Sequence, residues 1–120
     1  MLATLETRFS LTERVSILIP DKDNKNTPLN EELLKETVSL VARTLAKIAG
    51  GSTVVPNLQG YYYTEEGILC EEVTTEVQVF STPDKLNEVL EEALVLAEQV
   101  KADLRQESVG LKVNDRFYFI

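Results

Sequence analysis

Polar and apolar positions alternate along residues 8–19. Phe9, Leu11, Val15, Ile17 and Ile19 share one face, and Arg8, Ser10, Thr12, Arg14 and Ser16 the other. A period of two predicts a long, half-buried strand that Pro20 ends. The polar run Asp21–Asn26 follows as a loop. Thr27-Pro28 has the form of an N-cap followed by proline in the first turn, with Asn30 as the alternative cap. Leu34, Val38, Val41, Leu45 and Ile48 then recur at helical spacing, acids leading and Lys47 trailing, until Gly50-Gly51 stops the helix.

Two strand-like runs, 52–64 and 68–81, flank Glu65-Glu66-Gly67 and predict an antiparallel hairpin. In the second run Val73, Thr75, Val77 and Val79 face one way, and Glu72, Thr74, Glu76 and Gln78 the other. Pro56 and Gly60 mark the first run as an edge strand or a bulged one. Thr82-Pro83 repeats the cap-then-proline form before a second helical stripe, Leu86, Val89, Leu90, Ala93, Ala97, Val100 and Leu104. Val109, Leu111 and Val113 alternate as a last strand, and Phe117–Ile120 is an unusually apolar ending. The order β-α-β-β-α-β predicts a single α+β domain over residues 1–120. It is ferredoxin-like, with two helices on one face of a four-stranded antiparallel sheet.

Composition removes whole chemistries. With no histidine, the chain has no Ser-His-Asp triad, Cys-His dyad or His-ligated metal. The net charge of −8 argues against direct nucleic-acid binding. Its distribution is uneven: residues 1–64 hold seven acids and seven bases, residues 65–107 twelve acids and three bases. Cys70, ahead of Glu71-Glu72, has the acidic setting of an unreactive thiol. No apolar run reaches membrane-spanning length, and the start of the chain lacks the apolar core of a secretory signal, so a cytoplasmic protein without membrane attachment is expected.

Two motif-like stretches carry no chemistry. Asp21-x-Asp23 with Glu32 has the outline of a calcium loop, but Lys25 and Asn26 occupy the places of a ligand and the required glycine. Gly50-Gly51-Ser52-Thr53 follows a helix, whereas a phosphate loop precedes one. No metal or cofactor is therefore expected. The candidate chemistry lies on the polar sheet face. Glu72 is a candidate base with Tyr62 and Gln106 orienting a substrate, and Glu76, Gln78 and Glu107 are candidate ligand-binding residues. Glu72 and Glu76 stand roughly 13 Å apart along their strand, too far to share a proton.

Gly50-Gly51-x-Thr53, Pro56, Gly60-x-Tyr62, Gly67-Ile-Leu-x-x-Glu72, an apolar strand ending in Phe80, and Gln106-Glu107-Ser108-Val109 occur in that order. This pattern, over about residues 15–113, resembles a loosely defined family of small bacterial and phage-encoded proteins of unknown function. The resemblance implies a small α+β domain, brings no activity with it, and matches at Gly60, Tyr62, Gly67, Glu72, Gln106 and Glu107.

Three functions follow as expectations. The first is a homo-oligomeric module that binds a protein or small ligand and assembles through the sheet face or Phe117–Ile120. The second is a cofactor-independent enzyme of the dimeric ferredoxin-like type with Glu72 as base. The third is an acidic regulator of a nucleic-acid enzyme.

Overall fold

A computed structural model describes residues 4–5 and 9–120. Five strands and two long helices follow in the order β1 (Glu13–Pro20), α1 (Glu31–Ala49), β2 (Thr53–Tyr63), β3 (Leu69–Ser81), α2 (Leu86–Asp103), β4 (Gly110–Val113) and β5 (Arg116–Phe119). They form one antiparallel sheet in the order β2-β3-β1-β4-β5. The sheet thus has five strands where the sequence pattern predicts four. Asn114, at φ 54°, turns the chain directly after β4, and the apolar ending pairs with β4 from Val113↔Arg116 to Gly110↔Phe119.

β1 is the central strand. Val15, Ile17 and Ile19 face the helices and are almost completely buried with Val77, Val79, Leu45, Val89 and Leu104. The strand starts later than the alternation predicts. Its outermost pair is Glu13↔Ser81, where β3 ends, so the described residues 9–12 have no strand to bond. Phe9 and Leu11 are consequently exposed rather than core, and Arg8 lies outside the described residues.

Asn30, the second of the two candidate caps, starts α1 by accepting the Leu33 N–H at 3.1 Å. Thr27 is held in the preceding loop, where its N–H donates to Asp23 Oδ1. Gly50 closes α1 at φ 96°, a left-handed conformation that favours glycine. Thr82-Pro83 opens a short 3-10 turn, Pro83–Lys85, and α2 follows from Leu86. β2 is both an edge strand and a bulged one, with its register shifting between Val55 and Leu58 around Pro56 and Asn57. No helix among the described residues is long and apolar enough to cross a membrane.

Candidate functional site

Because both helices lie on the Val15 side, Ser16, Leu18 and Pro20 of β1 point to the opposite, uncovered face. Register brings distant residues together there. Gly60 stands opposite Glu72, and Tyr62 opposite Cys70, one step along the same face. A Cβ at Gly60 would stand 3.5 Å from Glu72 Cγ, so glycine leaves the space beside this carboxylate open. On the other side of β1, Gly110 lies under Phe117, whose ring occupies the volume a side chain at 110 would need. Phe117 and Phe119 stack at 4.9 Å between centroids with planes 53° apart.

These elements enclose a cleft of about 280 Å³ at the end of the sheet where β1 runs out into the loop. Tyr62, Glu72, Gln106 and Glu107 line it, with Phe117 and Phe119 as an aromatic wall. All three residues of the base-and-orienters set therefore meet in one place, together with one of the three ligand-binding candidates. Glu76 and Gln78 do not join them. Glu76 is buried farther along β3, paired with Lys112 Nζ at 3.4 Å, and Gln78 Nε2 donates to its second oxygen. Ser16, fully buried between Gln78 and Lys112, has no hydrogen-bond partner for its hydroxyl.

Gln106 owes its place to the end of α2. Arg105 adopts a left-handed conformation at φ 53°, the Gln106 N–H returns to Lys101 O at 2.9 Å, and the Arg105 N–H to Ala102 O. This paired closure ends a helix without glycine. The Gln106 amide then donates from Nε2 to Lys22 O at 2.7 Å and to Leu104 O at 2.9 Å. Only the nitrogen can donate to carbonyl oxygens, so Oε1 is the atom Gln106 offers to a ligand. Sequence reasoning placed Gln106 in the site but missed Phe117, Phe119, Gly110 and the loop that carries Lys22. The Asn114-Asp115 turn was the available signal for the aromatic strand.

Burial above all, with the Asp21 carboxylate next, pushes the Glu72 carboxyl above the ordinary glutamate range, while the Lys22 ammonium opposes them. Desolvation first, then Cys70 and Glu72, push the Tyr62 phenol up, so it is a neutral hydrogen-bond donor at neutral pH. Asp23 is held below the usual carboxylate range by the Thr27 N–H first, then by the Lys25 N–H and the Arg105 guanidinium. Oδ1 is committed to the loop N–H groups and Oδ2 to the Arg105 guanidinium, which leaves neither oxygen free in the manner a calcium loop requires. Among the described residues no group of three or more Cys, Asp or Glu is placed to hold a metal ion.

No family model matches the chain, and no curated protein matches it. Solved structures do. A phage SAM lyase in complex with S-methyl-5'-thioadenosine is similar at a TM-score of 0.61 and 18% identity, over 93% of each chain. The apo form of a phage SAM lyase aligns at 0.62 and 18%, over 94% of this chain and 92% of that one. The CutA1 protein from Oryza sativa aligns at 0.50 and 18%, over 84% of this chain and 75% of that one. The likeness is one of fold.

Proposed function

We propose that this chain is a cofactor-independent lyase that cleaves a sulfonium nucleoside, S-adenosylmethionine or a close relative, in the cleft around Glu72. The observation that carries the reading is the convergence of Tyr62, Glu72 and Gln106 beside an aromatic wall. The fold shared with the phage SAM lyase over nearly its whole length supports it.

The chemistry of the lining suits such a substrate. A sulfonium ion has a positive charge and no N–H or O–H, so carboxylates and ring faces recognise it better than hydrogen-bond acceptors alone. Glu72 and Glu107 supply negative charge, and Phe117 and Phe119 supply ring faces on which a purine packs. Gln106 Oε1 accepts from an amine or hydroxyl of the ligand. A sulfonium is also its own activated leaving group. When its C–S bond breaks, the electron pair passes to sulfur, the charge disappears, and a neutral thioether departs. Neither a metal nor a redox cofactor is needed for that step. The carbon left behind is completed either by loss of a neighbouring proton to Glu72 or by attack of the substrate's own carboxylate. The first route gives an unsaturated amino acid and the second a lactone.

The experiment is incubation of the full chain with S-adenosylmethionine and chromatography with mass detection of the products. S-methyl-5'-thioadenosine together with one of the two carbon fragments is expected, and Glu72→Gln should abolish it. The absence of both turnover and calorimetric binding of S-methyl-5'-thioadenosine in the folded protein overturns the reading.

A second reading is favoured by the exposed aromatic edges. Tyr61, Tyr62 and Tyr63 of β2 and Phe117, Tyr118 and Phe119 of β5 are all substantially exposed. On this reading the chain is a homo-oligomeric binding module joined through the sheet face or its C-terminal strand. Light scattering that returns a strict monomer would remove it.

A further inference from the structure

The loop after β1 touches both walls of the cleft through consecutive residues. Lys22 Nζ donates to Glu71 O at 3.0 Å, and Asp21 Oδ1 accepts the Val73 N–H at 3.1 Å. Those groups belong to the two peptide units that flank the Glu72 Cα. Each plane from which the Glu72 side chain springs is therefore gripped by one residue of the pair. The Asp21 N–H adds a bond to Val73 O at 3.0 Å, extending the β1–β3 ladder past Pro20. On the opposite wall Lys22 O accepts from Gln106 Nε2 at 2.7 Å.

The loop is itself fixed from the far side. The Leu29 N–H donates to Asp21 O, Lys22 bridges Pro28, and the Asn24 N–H donates to Arg105 O. Asp21 and Lys22 also line a smaller cavity of about 150 Å³ behind Glu72, shared with Gln59 and Gly60. Glu72 thus borders both spaces, and among the described residues the opposite charge acting on it is that of Lys22.

We propose that Asp21 and Lys22 are positioning residues that clamp Glu72 and Gln106 in register across the cleft and set the charge around Glu72. For what the cleft binds, this rests on the lyase reading. The charge balance is specific. Asp21 and Lys22 act on Glu72 with opposite signs. The other titratable groups around it are Tyr61 and Tyr62 on β2, Cys70 and Glu71 on β3, and Glu107 and Asp23 across the opening. None of these is a cation, and the Arg105 guanidinium at the opening is taken up by Asp23 at 3.4 Å, so among the described residues Lys22 is the cation that lowers the cost of ionising Glu72.

The test is a carboxyl-carbon NMR titration of Glu72 in the full, unliganded chain, with Asp21→Asn, Lys22→Met and Lys22→Arg. Asparagine keeps an oxygen for the Val73 N–H, so Asp21→Asn retains the fold while losing the charge. The Glu72 midpoint is expected to move down in Asp21→Asn, up in Lys22→Met, and to stay near the parent in Lys22→Arg. A purely structural role would move both charge-removing variants the same way or neither, and either result overturns the proposal. If one variant fails to fold, the sign of the other against the parent decides. Lys22→Met should also weaken S-methyl-5'-thioadenosine binding by roughly tenfold or more, the scale of losing one hydrogen bond from a charged donor. Opposite shifts with neither turnover nor binding leave the clamp standing and remove the lyase reading. Binding without opposite shifts removes the clamp alone.

Discussion

Replacing Gly110 with alanine tests the aromatic wall directly. The added methyl would lie 2.7 Å from Phe117 Cζ and 3.0 Å from Leu18 Cδ1, so the Phe117 ring must move. Gly110 is not among the residues with positive φ, and its backbone accepts alanine without strain. Overpacking of this kind costs roughly 1–3 kcal/mol. Phe117 is half exposed, at 49%, and can swing outward, which places the cost near the lower end. Against it stands the gain from stiffening the unfolded chain, about 0.4–1 kcal/mol. The net expectation for Gly110→Ala is a loss of about 0.5–1 kcal/mol, a few degrees in Tm.

In a Phe117→Ala background the 2.7 Å contact is gone and only the 3.0 Å approach to the Leu18 methyl, the movable end of a side chain, remains, so the entropic gain prevails and the same substitution should stabilise by up to about 0.5 kcal/mol. Urea unfolding of the parent, both single variants and the double variant gives the four values needed. A change of sign between the backgrounds is the result expected. Equal effects in both would refute the claim that the Phe117 ring rests on Gly110.

Other substitutions probe independent parts of the molecule. Asn30→Ala should cost about 1 kcal/mol by thermal melting while ligand binding is unchanged, because only the α1 cap is lost. Ser16→Ala should be neutral or stabilising by up to about 1 kcal/mol, since it removes a buried hydroxyl without a partner. Glu72 has a folded-state pKa raised above its ordinary 4.5, so its stability contribution is complete below that value and is lost as pH rises through the raised one. Glu72→Gln should accordingly match the parent in strongly acid solution and exceed it in stability at neutral pH, as followed by urea unfolding.

Legibility followed the range of the interactions. β1, β3 and both helices were readable because their periodicity is written within a few turns or pleats of chain. The choice of Asn30 over Thr27 was not, because it depends on Asp23 holding the Thr27 N–H inside the loop. β5 was missed because Arg116–Phe119 is exposed throughout and has no apolar alternation to betray it. On the polar face, Glu72 and Tyr62 were found from side-chain alternation, yet their meeting with Gln106 depends on sheet order and on the left-handed Arg105. Glu76 shares the Glu72 face but answers to Lys112 across β1, a partner 36 positions away that no local pattern reveals.

The bulge in β2 governs how the sheet can grow. Its outer margin would otherwise offer an uninterrupted row of peptide groups over eleven residues. Pro56 has no amide proton to give, and Asn57 turns left-handed at φ 62°, so the row is cut into two short stretches. The opposite margin, β5, is only four residues long. A neighbouring molecule can add a few hydrogen bonds at either side but cannot lay a full-length strand along one. Open-ended stacking into fibres is therefore obstructed at both margins, and edge-to-edge association is confined to short contacts.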